Sequence, residues 1–142
     1  MQEQFVTYEI ADLLHNQLGF YEPCLGFYNE KCPENDKGGY SGQFTCMAGW
    51  CQGRYDTSDL TSLDFTIIAP LWSQALDFLR EKHALLIIPH NDYYQLNDKT
   101  KVEYYFLIKK LGMATVDGVF TEKKEDYKEA LIIAIKKAIE LV

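Results

Sequence analysis

The chain contains no run of about 18 apolar residues, so no segment is expected to cross a membrane as a helix. Its opening stretch, Met1 to Ile10, holds two Glu, no Lys or Arg and no apolar run. It is therefore expected to be neither a secretory signal nor a transit peptide. A cytoplasmic location is the resulting expectation, and there the four cysteines, Cys24, Cys32, Cys46 and Cys51, should be reduced thiols. Basic residues are scarce in the first half: residues 1–69 carry three bases against ten acids, and residues 70–142 carry eleven of each. The net charge of −7 thus lies wholly in the first half. A stripe that neutralises phosphates needs the opposite balance, so nucleic acid is disfavoured as a partner of the N-terminal half and only permitted for the C-terminal half.

Recognisable chemical motifs are missing as well. The glycine-rich stretch Lys37-Gly38-Gly39-Tyr40-Ser41-Gly42 has neither the spacing nor the terminal Lys-Ser/Thr of a P-loop, and reads as turns. The cysteines are separated by seven, thirteen and four residues, and only the last gap fits a zinc knuckle. They are read as structural thiols, with no metal and no cofactor expected. There is no internal repeat and no low-complexity segment.

What is present reads as one α+β domain over residues 1–142. A chain of this length can bury roughly 70% of its unfolded surface in one core. Ten Tyr and eight Phe favour strands. A first helix is expected over about 7–18, with Thr7 as N-cap, Glu9 in its positive first turn, and Ile10, Ala11, Leu14 and Leu18 at helical spacing. Gly19 should end it in the left-handed conformation, with Phe20 folding back onto Leu14. Cys24 to Tyr28 and Phe65 to Ala69 read as strands. Between them lies a Gly- and Cys-rich insertion at about 31–64, in which a short hairpin or compact loop is expected around Gly38 to Gly53.

Pro70 suits the first position of a second helix over about 70–82, with Leu71, Trp72, Ala75, Leu76, Phe78 and Leu79 on its apolar side. The run Ala84 to Ile88, continuing past Pro89 to Tyr94, and the alternating arm Val102 to Ile108 flank turn residues Asn97-Asp98-Lys99. Together they predict an antiparallel hairpin over about 84–108 with one apolar face. Met113 to Phe120 is expected to add a short element broken at Asp117-Gly118. A last helix over about 124–141 carries Tyr127, Ala130, Leu131, Ala134, Ile135, Ala138, Leu141 and Val142 on one stripe, with Glu125 and Asp126 in its first turn. The expected architecture is an antiparallel sheet packed against three helices.

Two constellations carry the functional expectations. Tyr93 and Tyr94, set opposite Tyr104 and Tyr105, would form an aromatic ladder able to stack bases or anchor a protein partner, although cross-strand packing alone is the commoner role. Trp50, flanked by Cys46 and Cys51, joins them as a binding candidate. His90-Asn91-Asp92 supplies a base, an amide and a carboxylate in succession. His90 and Asp92 would be the residues of a small hydrolase or metal-dependent enzyme, whereas the plainer reading makes them a bulge or strand edge.

Three stretches resemble a family of small uncharacterised proteins carried by bacterial phages, prophages and related mobile elements: Phe5 to Ala11 leading to Gly19 to Cys24; Ala69 to Gln74 with Phe78 to Lys82; and Tyr127 to Leu141. The resemblance spans most of the chain outside Lys31 to Asp64. It implies a genomic setting and brings no catalytic residues with it. From Pro70 onward the element order also resembles the double-stranded-RNA-binding domain, with Lys123, Lys124 and Lys128 as an imperfect echo of its lysine cluster. The reading taken forward is a non-catalytic binding module with a protein partner or a second copy of itself.

Overall fold

The computed structural model describes residues 4–22, 24, 26–29, 44–46, 66–112 and 118–142. Their order is α1 (Tyr8–Leu18), β1 (Gly26–Asn29), β2 (Phe44–Cys46), β3 (Thr66–Ala69), α2 (Trp72–His83), β4 (Leu85–Leu96), β5 (Lys99–Lys110), β6 (Val119–Phe120) and α3 (Tyr127–Glu140). The fold is α+β. Among the described residues the strands form two three-stranded antiparallel sheets, ordered β2-β1-β3 and β4-β5-β6, where the sequence pattern predicts one. The chain divides into two compact units, Met1–Ala75 and Leu76–Val142.

In the first unit the capping chemistry sets the bounds of α1. The Thr7 hydroxyl accepts from the Ile10 N–H, and Gly19 at φ 66° ends the helix while the Phe20 N–H donates to the Leu14 carbonyl at 2.9 Å. That left-handed turn is open to glycine without steric penalty. Ile10, Ala11, Leu14 and Phe20 are buried, and α1 packs on β3. The Tyr28 hydroxyl donates to the Val6 carbonyl at 2.8 Å, tying β1 to the segment before α1. Strand β2 comes from within the Gly- and Cys-rich insertion and pairs with β1. Cys24 is buried, its thiol donating to the Glu22 carbonyl at 3.2 Å. Trp50, Cys32 and Cys51 lie outside the described residues.

In the second unit β4 and β5 are twelve-residue strands joined by Asn97-Asp98, both at positive φ (52° and 60°). This is the two-residue hairpin turn whose twist matches that of the strands, and Asn and Asp tolerate it better than most residues. The register runs from Leu85 opposite Lys110 to Leu96 opposite Lys99 without interruption. Val102, Tyr104, Phe106 and Ile108 therefore share one face with Leu85 and Ile87, and α3 lies across it. Phe106, Ile108 and Leu85 are buried there, as are Ala130, Leu131, Ala134, Ile135, Ala138 and Ile139. Asp126 is the N-cap of α3 rather than a member of its first turn, its carboxylate accepting from the Glu129 N–H at 2.8 Å.

Gly118 admits the close approach of the chain to β5. A Cβ there would stand 3.0 Å from the Ile108 carbonyl oxygen and 2.9 Å from Lys109 Cγ, and would press on Leu107 Cδ1. Gly118→Ala should therefore destabilise the protein by about 1–3 kcal/mol through overpacking. A urea midpoint that falls while the slope stays constant is the expected readout, and an unchanged midpoint would contradict it.

Candidate functional site

The uninterrupted register decides which candidate side chains meet. Because Asn97-Asp98 closes the hairpin in two residues, His90 stands opposite Tyr105, Asn91 opposite Tyr104, Asp92 opposite Glu103, Tyr93 opposite Val102 and Tyr94 opposite Lys101. The four tyrosines do not face one another in a ladder. Tyr93 and Tyr104 point to the α3 side, where Tyr104 packs edge-on against Tyr127 at 5.5 Å. Tyr94 and Tyr105 point to the opposite side together with His90 and Asp92.

A one-residue irregularity in the β6 chain completes that opposite face. Phe120 pairs with Leu107, yet Lys124 pairs with Tyr104, so four steps on one strand match three on the other. Glu122 and Lys123 thus both fall opposite Tyr105, as at a β-bulge, and the Phe106 N–H finds the Thr121 hydroxyl at 2.9 Å. Lys123 reaches over the Tyr105 ring, its Nζ 5.5 Å from the centroid, and meets Asp92 Oδ2 at 2.6 Å. The Tyr105 hydroxyl donates to Asp92 Oδ1 at 3.4 Å. The His90 ring stacks on Tyr105 at 5.4 Å and 22°, and Phe120 closes on both rings at 5.9 and 5.8 Å.

The cluster is therefore centred on Tyr105 and spans all three strands. Its electrostatics follow from one ion pair. The Lys123 ammonium, hydrogen-bonded to Asp92, holds that carboxyl below the usual carboxylate range, and Asp92 in turn raises the Lys123 ammonium above its ordinary value. On the same face Glu103 hydrogen-bonds the Tyr94 hydroxyl and raises its pKa above that of a free phenol. His90 Nε2 is buried and, among the described residues, has no hydrogen-bond partner, so the ring acts here as an aromatic plate and that nitrogen is covered.

Sequence reasoning joined His90 to Asp92 but set Tyr105 in a separate constellation, and it missed Phe120 and Glu103. A two-residue reading of the turn would have paired His90 with Tyr105 and Asp92 with Glu103. Nothing in the sequence marks the bulge that turns Lys123 to this face. Lys124 bonds Glu129 at 3.5 Å and Glu122 at 3.9 Å, so it too is engaged with carboxylates.

Among the described residues no group of three or more His, Cys, Asp or Glu is placed to hold a metal ion. No helix among them is long and apolar enough to cross a membrane. No family model, no curated protein and no solved structure matches the chain.

The ion pair predicts its own pH window. Asp92 is depressed, so its contribution to stability is present above the ordinary carboxylate value and is lost as pH falls through the depressed one. Lys123 is raised, so its contribution is present below the ordinary ammonium value and is lost as pH rises through the raised one. Following the Asp92 side-chain carbon by NMR should give a titration below that of ordinary aspartates, which Lys123→Met returns to the usual range. An Asp92 midpoint that ignores this substitution would contradict the assignment.

Proposed function

We propose that the protein is a non-catalytic protein-binding module, an accessory protein of a phage or mobile element, and that it binds through the distal half of the β4–β5 hairpin. The observation that carries this reading is the projection of the hairpin. Two twelve-residue strands extend about 40 Å, whereas a fourteen-residue helix such as α3 covers about 21 Å. Every residue from Tyr93 to Thr100 is exposed. Among them Tyr93 is 68% and Leu96 50% accessible, with Tyr94 beside them.

Exposed aromatics on a hydrogen-bonded ladder supply contact area at low conformational cost, and tyrosine is enriched where binding energy concentrates. Tyr93 on one face of the hairpin, and Tyr94 with Leu96 on the other, give its end exposed apolar surface on both sides, which is an interaction feature. The phage setting rests on the resemblance of the three stretches described above. The catalytic alternative, through His90 and Asp92, is weakened because Nε2 is covered and the carboxylate is engaged by Lys123 and Tyr105. The nucleic-acid alternative is weakened because Lys123 and Lys124 already pair with carboxylates.

The triple variant Tyr93→Ala, Tyr94→Ala, Leu96→Ala tests the reading. Substitutions at such an exposed tip should leave unfolding within about 0.5 kcal/mol per site. Retention of a protein partner from a bacterial lysate by tagged protein should fall at least about tenfold, as expected when aromatic anchors are truncated. Equal retention by the variant, or a hydrolytic activity abolished by His90→Ala, would overturn it.

A further inference from the structure

The β4 strand has an inner and an outer row of backbone groups. The Leu111 N–H donates to the Ala84 carbonyl at 2.6 Å, and the register continues unbroken from that point. Even-numbered residues of β4 therefore turn their N–H and C=O toward β5, and odd-numbered residues turn theirs to the outer edge. Among the described residues, β5 is the one strand bonded to β4. The outer row consists of Leu85, Ile87, Pro89, Asn91, Tyr93 and Gln95, in which Pro89 alone has no N–H. A proline is tolerated here because the missing donor faces away from the ladder. Leu85 is buried, so the row runs open from Ile87 to Gln95, and outward donors and acceptors over that length are a template for one more strand.

We infer that the strand is β4 of a second copy of this chain, paired antiparallel about a two-fold axis at Asn91. This rests on the reading of the hairpin as the docking element and names its partner. A two-fold interface must be self-complementary, so the strand itself restricts the choice of register. Only axes at His90 or Asn91 keep nearly all of Leu85–Leu96 in the pairing. An axis at His90 sets imidazole on imidazole and Asp92 against Ile88. An axis at Asn91 sets His90 against Asp92, Ile88 against Tyr94 and Leu86 against Leu96 on one face, with Pro89 against Tyr93 on the other. Apolar or aromatic side chains then meet one another at the last three of these pairs, with Ile87 against Gln95 at the ends, and neither two imidazoles nor two carboxylates are opposed. Axes further out oppose two Asp92 carboxylates or bring both Pro89 residues together. The product is a continuous six-stranded antiparallel sheet.

The test is sedimentation of the full chain from low to high micromolar concentration, for wild type, Asn91→Ala and Asn91→Pro. The alanine keeps the outward N–H, whereas the proline removes both donors of the central pair and leaves the β4–β5 ladder intact. Wild type and Asn91→Ala should dimerise, and Asn91→Pro should weaken the dimer about ten- to hundredfold. If Asn91→Pro does not fold, amide exchange in wild type decides: protection of Asn91 and Tyr93 that grows with concentration supports the pairing. A wild type that stays monomeric, a dimer indifferent to Asn91→Pro, or fast exchange at both amides at every concentration overturns it. A monomer whose partner capture is still lost in the Tyr93, Tyr94, Leu96 variant sinks the self-pairing alone. A monomer whose capture is indifferent to that variant sinks the binding reading too.

Discussion

The two-residue turn at Asn97-Asp98 is the constraint on which the second unit depends. Both residues sit at positive φ, and the turn locks twelve pairs into one register. In a strand the side-chain period is two, so a slip of one residue would send Phe106 and Ile108 away from α3 and bring Tyr105 and Leu107 beneath it. The buried face of α3, with Ala134 and Ile135 fully covered, is matched to the face that this register turns toward it. The same constraint places His90, Asp92 and Tyr105 together and turns the nitrogen of Pro89 outward.

Once that face is defined, the β6 chain supplies what crosses it. The extra residue between Thr121 and Lys124 turns Lys123 over Tyr105 toward Asp92. Both partners of the ion pair are about half exposed, so the bond orients more than it stabilises. The ring contacts among His90, Tyr105 and Phe120 are the stronger element, since aromatic pairs contribute about 0.5–1.5 kcal/mol each beyond their burial. The cluster clamps three strands at the middle of the hairpin and leaves the end beyond it to project.

Local chemistry was legible in the sequence, and pairing was not. Thr7 and Gly19 bound α1 as their side-chain and backbone properties dictate, and the middle of the α3 stripe, from Ala130 to Ala138, is buried as its spacing implies, while Tyr127, Leu141 and Val142 at its ends are exposed. The hairpin is legible as well, but its register is not, because Asn97-Asp98-Lys99 mark a turn without fixing its length. The expected ladder sets Tyr93 and Tyr94 against Tyr104 and Tyr105, whereas the two-residue turn gives them Val102 and Lys101. The separation of strands into two sheets rests on contacts distant in sequence, such as Gly26 with Ala69, that no local pattern encodes. The bulge that recruits Lys123 has no sequence signature either.

The hairpin register is therefore the central claim, and nuclear Overhauser contacts between α-protons measure it directly. In an antiparallel pair these contacts join residues that do not exchange hydrogen bonds, where the strands lie closest. The register described here predicts α-proton contacts between Asn91 and Tyr104 and between Tyr93 and Val102. A contact between Tyr93 and Tyr104 in their place would contradict it, and with it the clustering of His90, Asp92 and Lys123 around Tyr105.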